Sequence, residues 1–163
     1  MDTKFRKTDR YNQYNIETKD VWALFELNVW AGTAFKYLDR HDYKDDREAD
    51  LNKVIYYMTE AVQRLKFAAI AHDKVVTVYS HEHFIDSKSL EYIQDYFVLE
   101  GKPRKFVVDR DQLIDLVTRD RAEAEQSNFY APAILLILKG HYQTALDVLK
   151  LLMVSDGVTI YDQ

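Results

Sequence analysis

Gly32, Lys36 and Arg40 recur at four-residue intervals, and Asp50, Lys53 and Tyr57 follow at intervals of three and four. On an α-helix each set falls on one face, because residues three and four apart are surface neighbours there. The first set offers two cations beside a glycine that contributes no side chain. The second offers a carboxylate, an ammonium group and a phenol. Between them His41-Asp42-Tyr43-Lys44-Asp45-Asp46 is polar enough to form the turn of a helical hairpin, so the two stripes would face each other. A guanidinium and a flexible ammonium suit phosphate oxygens, and one reading is a phosphate or nucleotide site approached across Gly32. The other is a structural ion pair, Lys36 or Arg40 with Asp50 or Glu48, that holds the hairpin together.

The elements that must position these residues are legible as apolar periodicity. Val21, Leu24, Phe25, Asn28, Val29, Gly32, Phe35 and Leu38 predict one helix from an N-cap at Thr18 to about Arg40. Leu51, Val54, Ile55, Met58, Ala61, Val62 and Leu65 predict a second, opening at Asp45 or Asp46 and running as far as His72. The β-branched run Lys74–Tyr79 and the segment Lys105–Val108 suit a short two-stranded element, with a helical continuation as the alternative. Asp86 or Ser87 caps a third helix that Gly101 and Pro103 end, and Asp109 caps a fourth. Ala131–Leu138 reads as a buried helix with Pro132 in its first turn, and a last helix runs from Tyr142 to about Val154. The expected fold is mainly α: a helical hairpin region over 1–72, then a C-terminal helical bundle over 73–163 of unassigned role.

Composition narrows the function classes. A 163-residue chain that is 47% hydrophobic can bury a real core, and 4 Gly with 2 Pro are too few turn residues for an all-β fold. Without cysteine there is no disulfide, thiolate metal site or thiol nucleophile. There is no run of about 18 apolar residues and no apolar leader, so a soluble cytoplasmic protein without membrane contact is expected. A net charge of −5 disfavours general nucleic-acid binding, which needs concentrated positive charge, while leaving room for a local basic pocket.

Asp9-Arg10-Tyr11, Ile16-Glu17, Gly32…Lys36-Tyr37-Leu38…Arg40, Lys44, Asp50-Leu51…Lys53 and Tyr57 stand in the order and spacing of a known pattern. That pattern is His-Tyr, Ile-Glu, Gly-Asn-x-x-Lys-Tyr-x-x-Arg, a lysine-bearing turn, and Asp-Leu-x-Lys before a tyrosine. Residues 9–66 thereby resemble the SaV-like family of small bacteriophage proteins, which includes a deoxynucleoside monophosphate kinase without a Walker loop. This chain also has no Gly-x-x-x-x-Gly-Lys-[Ser/Thr]. The resemblance implies that Lys36, Arg40 and Lys44 handle phosphates and that Asp50 and Lys53 orient them or keep the hairpin in register. It also implies that Tyr37 and Tyr57 stack on a base or pack, and that Tyr11 belongs to the site. ATP or another nucleoside triphosphate is the implied cofactor, and clustered cations suit phosphoryl transfer, which is mostly positioning and charge neutralisation. Arg10 replaces the family's His and Thr33 its Asn, so binding without catalysis is the second outcome the resemblance allows.

Other residues carry weaker signals. His81-Glu82-His83 with Asp86 offers metal-ligand types but suits an exposed loop equally well. Glu17 and Glu26 could pair with the hairpin cations. Trp22 and Trp30, eight apart, read as core or interface residues on the first helix. The rival function class is a non-enzymatic phage protein that binds and inhibits a host defence or transcription factor, suggested by 12 Tyr and 2 Trp as interface anchors. Aromatic helical faces also lead us to expect a homo-oligomer.

Overall fold

A computed structural model describes residues 14–41, 46–65, 73–81, 84–101, 103–124 and 128–162. The predicted first helix is two. α1 (Thr18–Phe25) ends where Glu26 takes a left-handed conformation, φ 48°, and the Leu27 N–H returns to the Trp22 carbonyl. α2 (Val29–Arg40) then restarts under a new cap, the Asn28 side chain accepting from the Ala31 N–H. Asn28 falls on the apolar rhythm of the sequence, yet Asn is a strong capping residue and here it marks the break. Nor is Thr18 the cap of α1: Glu17 holds that position, and the Thr18 hydroxyl instead donates to Asp39 at 2.8 Å. Trp22 and Trp30 consequently sit on different helices.

The break has a packing consequence at Gly32. A Cβ there would lie 2.3 Å from Cε2 of Trp22, so the glycine admits the indole onto α2. The Trp22 Nε1–H donates to the Leu27 carbonyl at 2.8 Å, fixing the ring in that place. The gap expected to admit an anion is filled by an aromatic ring.

α3 (Arg47–Leu65) runs back along α2, with Asp46 accepting from the Ala49 N–H at its start. Ala31, Ala34, Phe35 and Leu38 on α2 and Leu51, Val54, Ile55 and Met58 on α3 are buried, so the hairpin is closed by a continuous apolar seam. Its turn at 42–45, including Lys44, lies outside the described residues, as do Arg10, Tyr11, His83 and the stretch 66–72.

β1 (Val75–Tyr79) and β2 (Lys105–Asp109) pair antiparallel, Val76 opposite Val108 and Val78 opposite Phe106, which turns these four apolar side chains inward. Between them α4 (Ser87–Tyr96) begins at Asp86 and ends sooner than its glycine and proline suggested, with Val98 at φ 50°. α5 (Arg110–Ala122) is capped by Asp109, which accepts from the Gln112 N–H at 3.0 Å. A 3-10 turn, Asn128–Tyr130, leads into α6 (Ala131–Leu138) with Pro132 in its first turn, and α7 (Tyr142–Ser155) follows. The described part is mainly α with one short two-stranded sheet, as expected. One apolar core runs from Ile16 to Met153 and includes residues from both sides of position 72.

Arg121, fully buried, ties the ends together. Its Nε and Nη2 donate to the two Asp39 oxygens at 3.2 and 2.7 Å, and Nη1 donates to the Ile16 carbonyl at 2.7 Å and to Asp120 at 3.0 Å. The guanidinium faces the Tyr14 ring at 4.1 Å, and the Tyr14 hydroxyl donates to the Asp39 carbonyl. Asp120 accepts from the Asn15 and Ile16 N–H groups. A buried charge is tolerable when it is paired and hydrogen-bonded, and here Arg121 faces two carboxylates and each of its three nitrogens donates.

Candidate functional site

The helical hairpin brings Lys36, Tyr37, Arg40, Asp50, Lys53 and Tyr57 into one cluster. Tyr37 stands at its centre: the Arg40 guanidinium lies 4.3 Å from the ring centroid, the Lys53 ammonium 5.0 Å and the Lys36 ammonium 5.7 Å. These distances are within the range of cation–π attraction. On α3 the Tyr57 ring stacks on Tyr37 with centroids 6.0 Å apart and planes inclined by 13°. The aromatic pair thus forms a floor that links the two helices.

Charge is unevenly compensated. Asp50, 2% exposed, sits 3.6 Å from the Arg40 Nε and 3.6 Å from the Lys53 Nζ, distances of ion pairs longer than hydrogen bonds. Arg40 is itself 6% exposed, so this pair does the structural work anticipated for the hairpin. Lys36 forms no ion pair with a described carboxylate. Asp50 is thus shared by Arg40 and Lys53, while Lys36 faces the same ring without a described carboxylate. Gly32 contributes helix packing here through Trp22, and Lys44 and Tyr11 lie outside the described residues.

Lys53 also borders a groove of about 540 Å³ along α3, lined by Asn52, Tyr56, Gln63 and Tyr161 and by the carboxylates of Glu60 and Asp162. The groove's other wall is the C-terminal segment, which Asn52 holds in strand-like fashion. Its amide donates to the Glu48 and Thr159 carbonyls, and its Oδ1 accepts from the Tyr161 N–H at 2.7 Å. Glu48 accepts in turn from the Thr159 N–H and the Tyr161 hydroxyl. Tyr56 and Tyr161, which both line this groove, are exposed at 56% and 45%.

A second cluster was missed as a cluster. Oxygens of Glu17, Asp20 and Asp86 gather within 4.8 Å of one another, and the cation they face is the Lys19 ammonium, 2.6 Å from Asp86 and 3.8 Å from Glu17. Burial first, and then the neighbouring Asp86 carboxylate, push the Glu17 carboxyl up to about 7. Asp86 moves the opposite way, held down by Glu17 and Lys19, and Lys19 is raised mainly by Asp86. Ser89 donates to Asp20 at 2.6 Å and accepts from the Glu17 N–H, which docks α4 against α1. Glu17 thus pairs with its own neighbour Lys19 rather than with the hairpin cations. Spacing could not reveal this set, because Asp86 joins it across 66 residues of chain.

His81 stands in a separate polar cleft of about 510 Å³ with Glu91, Asp95 and Arg104, beside Tyr79 and Phe84. No family model, curated protein or solved structure matches this chain.

Proposed function

We propose that the α2–α3 hairpin binds a nucleotide. The observation that carries this reading is the Tyr37 cluster, in which Lys36, Arg40 and Lys53 converge on one ring while Lys36 forms no ion pair with a described carboxylate. Lys36 and Lys53 are the cations for a phosphate group, since Lys36 has no described carboxylate partner and Lys53 is half exposed. Arg40, committed to Asp50, holds the positive field in place from beneath. Lys53 belongs to both the cluster and the α3 groove, so a phosphate at its ammonium leaves the base to lie along Tyr56 or Tyr161. A groove of 540 Å³ falls within the roughly 300–1,000 Å³ typical of small-molecule sites.

The resemblance to the SaV-like family extends this reading to phosphoryl transfer from a nucleoside triphosphate to a deoxynucleoside monophosphate. In that reaction the cations neutralise charge on the transferring group and Asp50 fixes their spacing. Calorimetric titration with a panel of deoxynucleoside monophosphates and nucleoside triphosphates tests binding, and product analysis after mixing the two classes tests transfer. Saturable heat with at least one of the panel is expected. Heats of dilution across the whole panel would remove the proposal.

A further inference from the structure

We propose a second, separate binding site for a single phosphate group at the corner where α5, α6 and α7 meet. A cavity of about 240 Å³ there is lined by Arg110, Asp111, Ile114, Lys139 and His141. It is smaller than the roughly 300–1,000 Å³ of sites that enclose whole small molecules, and so matches one tetrahedral anion or the phosphate end of a larger ester.

The chemistry of the lining is cationic and under-used. Neither Arg110 nor Lys139 forms an ion pair with a described carboxylate, although Asp111 lines the same cavity. The Arg110 Nε is buried and has no hydrogen-bond partner, and its Nη2 reaches only the Phe25 carbonyl at a long 3.5 Å. The guanidinium is held in place over the Phe25 ring at 5.3 Å. A half-buried guanidinium with so few acceptors is uncommon in a folded protein, and an oxyanion in the cavity that Arg110 lines would take up hydrogen-bonding capacity left over on this side chain.

Backbone geometry adds to the field. Gly140, at φ 79°, turns the chain between α6 and α7, with the His141 N–H returning to the Leu136 carbonyl. That corner brings Lys139 and His141 beside the first residue of α5. His141 is the N-cap of α7 but makes no side-chain capping bond, so the positive end of that helix is uncapped next to the cavity. The site is also remote from the hairpin cluster. The Asn28 amide at the start of α2 donates to the Tyr142 hydroxyl at 2.9 Å, and Lys36 and Arg40 lie about 12 and 18 Å farther along that helix.

Nuclear magnetic resonance titration of the full chain with inorganic phosphate, at ionic strength held constant with chloride, reads this site directly. Amide resonances of 110–114 and 139–143 should shift saturably, and Lys139→Gln should weaken the affinity about tenfold, as loss of one charge-assisted contact does. Lys139 is exposed at the end of α6, so this variant should keep the fold, whereas Arg110→Gln also removes a contact to Phe25 and serves as a second, harsher variant. A parallel arm with ribose 5-phosphate identifies the source: tighter binding than phosphate assigns an ester, equal binding the free ion. Shifts absent, confined to the hairpin, or unchanged in affinity by Lys139→Gln would overturn the assignment, whatever becomes of nucleotide binding.

Discussion

Arg121→Ala is the most informative change to the scaffold. The side chain is 0% exposed and makes four hydrogen bonds, two to Asp39, one to Asp120 and one to the Ile16 carbonyl. Removing it leaves Asp39 and Asp120 buried, with Thr18, Asn15 and the Ile16 N–H as their remaining described donors. Breaking one side of a buried ion pair typically costs about 3–5 kcal/mol, because the stranded charge stays out of water. Against a typical total of about 5–15 kcal/mol this is a large fraction. For a chain of this size it corresponds to a fall in Tm of roughly 6–20 °C, at about 2–4 °C per kcal/mol. Circular dichroism melts of wild type, Arg121→Ala, Asp39→Ala and the double variant supply a complete cycle. Asp39→Ala should cost much less once Arg121 is gone, because the charge it would strand is already absent. A loss below about 1 kcal/mol for Arg121→Ala, or effects that add within about 0.5 kcal/mol, would refute the network's role.

Three further outcomes follow from the geometry. Gly32→Ala should destabilise despite alanine's better helix propensity. Displacing the Trp22 ring costs about 1–3 kcal/mol of overpacking, against about 1 kcal/mol gained, so a raised Tm would contradict the packing described. Glu17 binds a proton more tightly folded than unfolded, with its carboxyl raised from 4.5 to about 7. Its contribution is therefore fully present below about 4.5 and lost as pH rises through 7, in opposition to Asp86, whose depressed value favours the folded state at higher pH. In calorimetric melts, Glu17→Gln should flatten the decline in stability across that window, and an unchanged slope would count against the assignment. Asn52→Ala removes two of the hydrogen bonds that hold the C-terminal segment on α3, the one donated to the Thr159 carbonyl and the one accepted from the Tyr161 N–H. Proteolysis near Tyr161 should speed up well before global unfolding, and equal protection in variant and wild type would refute the clasp.

How far the sequence could be read depended on whether a signal was local. Periodicity placed α3 to α7 because each carries its own apolar pattern, β-branched residues marked both strands with a helical continuation as the alternative, Asp109 capped α5, and Pro132 fell in the first turn of α6 as expected. It ran α1 and α2 together, because the apolar rhythm continues across a break that only Glu26's left-handed backbone and Asn28's cap create. At the hairpin, helical spacing was enough to assemble Lys36, Arg40, Asp50 and Lys53 around Tyr37, since neighbours on two adjacent helices need only a short turn. Gly32 was misjudged for a tertiary reason, the arrival of Trp22 from another helix. Asp120 and Arg121 did leave a trace: they continue the inward stripe Leu113, Ile114, Leu116 and Val117, where charged residues imply a buried pair. Their partner Asp39, 82 positions earlier, left none.

The central claim is that the hairpin's cations serve an anionic guest as well as each other, and Lys36 separates the two roles. It has no described carboxylate partner, so Lys36→Ala should leave the melting curve nearly unchanged. Its affinity for the best-bound nucleotide, measured by calorimetry, should fall roughly tenfold to a hundredfold, the equivalent of about 1.5–3 kcal/mol for a charge-assisted contact. An identical dissociation constant in wild type and variant would contradict the claim.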